Sequence, residues 1–153
     1  MSLFLSDREH QTAIDEAGWR QPDVALRRVL VGPFDLQIAT ARYDVVPVQI
    51  RVLSGPPSVE AGAEHAVEVD LQVPSGKLVL ETVTEDSKVV PDIPVTPGRY
   101  RVRITYMPRT EPPPEGSDSE AFGDHFDYGI DLWLSPRPND PAVLVQGREV
   151  WAG

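Results

Sequence analysis

Val67-Glu68-Val69-Asp70-Leu71-Gln72-Val73 alternates apolar and polar residues without a break. That is the period of a strand with one buried and one wetted face. Pro74-Ser75-Gly76 then supplies a turn, and Leu78 to Val83 is expected to pair back as a hairpin. Upstream, Val46, Val48, Ile50 and Val52 repeat the alternation, with Gln49 and Arg51 facing the other way. Phe34, Leu36 and Ile38 do so around Asp35 and Gln37, after a Gly32-Pro33 turn. Val24 to Val31 is extended in character but interrupted by Arg27-Arg28.

Downstream, Lys88 to Val95 is broken by Pro91 and Pro94, which suits a sheet edge or an irregular crossover. Tyr100, Val102, Ile104 and Tyr106 share one face, with Arg99, Arg101, Arg103 and Thr105 on the other. Phe126, Tyr128, Ile130, Leu132 and Leu134 resume the pattern, and Trp133 falls on the opposite face. Ala142 to Val150 offers a last strand. One helix is expected at the start, where Ser6 and Glu9 form a capping box and Gly18 stops a run ending at Ala17. The expected fold is all-β: an antiparallel β-sandwich or jelly roll of about eight or nine strands with one short N-terminal helix. The expected organisation is a single domain over 1–153, with a helical extension over 1–20 and an acidic mobile loop over 108–125.

Composition narrows the function classes. The 153 residues carry 14 Lys and Arg against 24 Asp and Glu, a formal net charge of −10. Six acids lie between Glu111 and Asp127 with no base among them: Glu111, Glu115, Asp118, Glu120, Asp124 and Asp127. Such a stretch repels phosphates, so nucleic acid and anionic membranes are disfavoured and a basic protein partner is favoured. With no Cys there is no disulfide, thiolate-metal site or cysteine nucleophile. No apolar run approaches the ~20 residues needed to cross a bilayer, and Met1 to Leu5 is too short for a signal-peptide core, so the expected location is cytoplasmic. The bases are 12 Arg and 2 Lys, a skew attributed to a GC-rich genome.

Catalytic patterns are missing. There is no G-x-S-x-G elbow, phosphate-binding glycine loop or H-E-x-x-H, so neither an enzyme nor a cofactor is expected. Asp124-His125-Phe126-Asp127 gathers three metal-ligand types, but a solvated loop end is the plainer reading. An EF-hand beginning at Asp118 places Gly123 at the sixth position but lacks Asp or Asn at the third and fifth. The row Arg99, Arg101 and Arg103 could hold an anion. Pairing with acids across the sheet, on Asp127 and Asp131 of a hairpin partner, is the favoured alternative. Trp133 beside these charges is either an exposed interface anchor or packed under the N-terminal helix.

V-T-P-G-R-Y-R-V-R (Val95 to Arg103), an acidic spacer and Y-G-I-D-L-W (Tyr128 to Trp133) together resemble small bacterial proteins of the competence protein J type. The resemblance spans Phe34 to Trp133. It implies a β-sandwich without catalysis, in a family whose named member inhibits a DNA-entry nuclease. The leading expectation is therefore an immunity- or inhibitor-like bacterial protein that meets a basic nuclease or toxin through Glu111, Glu115, Asp118, Glu120, Asp124, Asp127 and Trp133. The alternatives are a carbohydrate- or small-molecule-binding sandwich using Trp133 and the Arg row, and a structural subunit docking through its N-terminal helix.

Overall fold

A computed structural model describes residues 2–11, 15–40, 48–82, 91–108 and 126–148. Ten strands follow in order among them: β1 (Ser2–Asp7), β2 (Val29–Val31), β3 (Asp35–Ala39), β4 (Val48–Leu53), β5 (His65–Val73), β6 (Lys77–Thr82), β7 (Ile93–Pro94), β8 (Gly98–Pro108), β9 (Phe126–Leu134) and β10 (Ala142–Val145). They form two five-stranded sheets, ordered β2-β3-β1-β6-β7 and β10-β5-β8-β9-β4. The fold is an all-β sandwich.

Period-two patterning places the core. Leu3, Leu5, Leu36, Ile38 and Leu78 from the first sheet meet Val67, Val69, Leu71, Val102, Ile104, Ile130 and Leu132 from the second, all essentially unexposed. Each such side chain contributes roughly 1.5–3 kcal/mol on burial, so this layer carries the stability. Two buried phenols also satisfy their hydroxyls: Tyr100 donates to the Thr96 carbonyl and Tyr106 to that of Ala39, each at 2.6 Å.

Four expectations are corrected. The N-terminal helix expected from Ser6 to Ala17 is not found among the described residues of that segment: Ser6 and Asp7 end β1, residues 8–11 turn away from it, residues 12–14 lie outside the described residues, and Glu16 opens a 3-10 turn; β1 lies between β3 and β6 in the centre of its sheet. Leu3 and Leu5 bury on one face, and this burial outweighs the local capping signal. Asp7 caps a turn instead of a helix, accepting from the Glu9 and His10 amides at 2.9 and 3.1 Å. Second, the run from Val24 begins as helix. A 3-10 turn over Glu16–Arg20 leads into α1 (Pro22–Arg27), with Pro22 in its first turn and Asp23 at its positive end. Arg28 ends α1 in the left-handed region at φ 64°. The 3-10 turn covers the outer face of the first sheet: Trp19 donates to the Gln37 side chain at 2.9 Å, and Gly18 sits against Leu30.

Third, β5 and β6 do not form a hairpin. The turn after Val73 carries the chain from one sheet to the other, with Gly76 at φ 71°. A Cβ there would lie 2.8 Å from the Val95 carbonyl oxygen, so glycine is required twice over. Fourth, β4 runs parallel to β9, Val48 opposite Tyr128 through Leu53 opposite Trp133, where only antiparallel pairs were expected. The β8–β9 pairing expected from the sequence is present, with Arg103 opposite Asp131 and Arg101 opposite Trp133.

Candidate functional site

The outer face of the second sheet gathers the charge. Arg101 donates to Glu68 at 3.2 Å, to Asp70 at 2.9 Å and to the Asn139 and Asp140 carbonyls. Arg103 directs Nε and Nη2 onto one Glu68 oxygen at 2.9 and 2.7 Å, and reaches the Pro57 carbonyl. Arg99 lies 3.5 Å from Asp70. The Arg row is thus paired within the chain, as the plainer reading held, but its acids come from β5 rather than β9. Arg101 and Arg103 are 7% and 6% exposed, so neither guanidinium presents itself to an external anion.

Beside this ladder the face opens into a groove of about 540 Å³ across β4, β9 and the end of β8. Gly129 leaves part of the floor without a side chain; a Cβ there would meet only Thr105, at 3.8 Å. Arg51 and Asp131 face each other across the parallel pair and form a two-pronged ion pair, Nε to Oδ1 at 2.8 Å and Nη2 to Oδ2 at 3.0 Å. That contact raises the Arg51 pKa above its ordinary value. Glu60 and Asp127 also line the groove, so its lining carries three acids and one base. Pro108 and Asp127 are both part of its lining. The acidic stretch therefore leaves and rejoins the described structure beside a groove of the same sign.

Of the site residues expected from sequence, Asp127 is exposed in this groove. Glu111, Glu115, Asp118, Glu120, Asp124 and His125 lie outside the described residues. Trp133 is not an exposed anchor: it is 7% exposed, with the Arg103 guanidinium 5.5 Å from its ring centroid. Nor does it pack under an N-terminal helix, since that segment is β1 of the other sheet. Arg51, Glu60 and Gly129 were not singled out from sequence. Arg51 had been placed on the outward face of its strand, but nothing local marks β4 as the partner of β9. Among the described residues, no group of three or more metal-ligating side chains converges, and no helix is long and apolar enough to cross a membrane.

No protein-family model matches the sequence, and no curated protein matches it. Two solved structures share the fold. ComJ from Bacillus subtilis, described as an inhibitor of the DNA-degrading activity of NucA, superposes with a TM-score of 0.64 at 16% identity, covering 88% of each chain. The crocagin biosynthetic gene J product superposes with a TM-score of 0.58 at 19% identity, covering 88% of this chain and 90% of its own. The resemblance noted in the sequence thus holds at the level of the fold.

Proposed function

We propose that this chain is a non-enzymatic, cytoplasmic bacterial binding protein of the inhibitor or immunity type, which engages a basic protein such as a nuclease through the acidic stretch and the groove at its root. The observation that carries this reading is the acidic groove. Its lining holds Glu60, Asp127 and Asp131 against one base, Arg51, and Asp127 is also the last acid of the Glu111–Asp127 stretch, which has no Lys or Arg. The fold shared with a nuclease inhibitor supports it. Opposite charge accelerates encounter and is weakened by salt, whose screening length is about 8 Å at physiological ionic strength.

The test is DNA cleavage by a basic nuclease from the same cells, with and without the protein, at low and high salt. Saturable inhibition that weakens with salt is expected. Replacing Glu111, Glu115, Asp118, Glu120, Asp124 and Asp127 by their amides should slow association at least tenfold and flatten the salt dependence. Unchanged affinity and salt response in that variant would refute the reading.

A further inference from the structure

At the opposite end of β5 from the Pro74 turn, three consecutive residues strap the C-terminal part of the chain onto the corner formed by α1 and β2. The Gln146 side chain donates to the Leu26 carbonyl at 3.0 Å. The Gly147 amide donates to His65 Nδ1 at 2.9 Å, and the Arg148 amide to Glu64 Oε1 at 2.8 Å. Beneath them lies a buried ion pair: Arg28, with 0% of its side chain exposed, donates to both Glu64 oxygens, at 2.7 and 3.2 Å. A Cβ at 147 would sit 2.2 Å from Arg28 Nη2 and 2.7 Å from Glu64 Oε2, so a larger residue there would have to displace the ion pair.

His65 is fully buried, and both ring nitrogens are committed. Nε2 lies 2.9 Å from the Arg27 carbonyl oxygen. A carbonyl can only accept, so Nε2 carries the hydrogen. A backbone N–H can only donate, so Nδ1 presents its lone pair to Gly147. The two contacts together fix one neutral tautomer. A second proton would have to sit on Nδ1, facing another donor.

The groups around the ring reinforce this. The Arg28 guanidinium is on one side and the Glu64 carboxylate next in the chain. The Tyr106 ring of β8 stands edge-on at 5.2 Å. Burial is the largest influence and lowers the imidazole pKa; Arg28 adds to the lowering, while the Arg27 carbonyl and Glu64 oppose it incompletely. Burial acts to raise the Glu64 pKa, but Arg28 and the Arg148 amide outweigh it and hold it below the ordinary carboxylate range. The ion pair therefore stays charged while the imidazole titrates.

We propose that His65 is a pH-operated latch: neutral, it fastens residues 146–148 over the Arg28–Glu64 pair, and protonated, it releases them and opens that corner to water. The strap follows β10, the edge strand on β5, so release loosens that edge of the second sheet first. The latch shares no residue with the lining of the acidic groove, and the proposal does not depend on what binds there.

The test is NMR of the full chain between pH 8 and pH 5. At neutral pH, long-range proton–nitrogen correlations should show hydrogen on Nε2 and a bare Nδ1. Protection of the Gly147 amide, corrected for intrinsic exchange, should fall about tenfold per pH unit below the ordinary imidazole value of ~6.5, while β8 amides hold theirs. Hydrogen on Nδ1, or flat Gly147 protection across this range, would overturn the latch. In His65→Gln, which cannot titrate, Gly147 protection should lose its pH dependence. A folded variant that kept it would also overturn the proposal, and should the variant not fold, the native titration decides.

Discussion

Two single residues carry distinct consequences. Asp7 is completely buried, yet ionised: its carboxylate accepts from His10 and from the Ser75 amide and hydroxyl. Burial acts to raise its pKa, and the hydrogen bonds together overcome this and bring it from 3.8 to about 2. As pH falls below about 4, the unfolded chain takes the proton first, so stability is lost progressively down through about 2. Urea unfolding at pH 5 and pH 2 should show that loss, and Asp7→Asn should shrink it. The variant should also be less stable at neutral pH by roughly 1–3 kcal/mol, because its amide would face the Ser75 donors. Gly129 is the opposite case. Its backbone is ordinary strand, and a Cβ there meets only a normal contact. Gly129→Val should fold with near-native stability while partly filling the groove. If the proposed inhibition of a basic nuclease uses this groove, this variant should inhibit at least tenfold less. Unchanged inhibition would move the contact away from the groove.

At the scale of elements, the β4–β9 pair shows how a sheet edge is pinned. Asp131 is 5% exposed, whereas 42% of the Arg51 side chain is exposed. Removing the two partners should therefore be unequal. Arg51→Ala leaves a buried carboxylate without its cation and should lower the urea midpoint of unfolding. Adding Asp131→Ala should recover part of that loss; no recovery would mean the pair does not couple. The individual strands were legible because alternation over five or more residues reports which face is buried. The Val67–Val73, Tyr100–Tyr106 and Phe126–Leu134 runs all became strands at those positions. The β8–β9 pairing was legible as two alternating runs on either side of one loop, although the arginines expected to face β9 acids pair with β5 instead. The β4–β9 register joins residues about eighty apart, and no short-range signal encodes it. The misread helix has a similar cause: Ser6 and Asp7 can cap a helix or a turn, and burial between β3 and β6 decides which.

Across the whole molecule, apolar patterning and charge have separate tasks. The core sets the sandwich, and the sequence showed this because periodicity measures burial. The charge is not spread evenly: the Arg row and its acids neutralise one another on the outer face of β5 and β8, while the groove lining carries three acids to one base. Trp133 shows the limit of reading a site from composition. A tryptophan on the polar face of its strand looks exposed until the loops around Pro57 and Asn139 are placed over the neighbouring arginines. One further consequence follows from β1 standing in the middle of its sheet. A ribosome delivers this strand before either of its neighbours, and those two are separated by some forty residues of chain. The nascent protein must therefore keep an unpaired, Leu-rich edge from joining another chain until residues 77–82 emerge, a demand on early folding that an edge strand would not make.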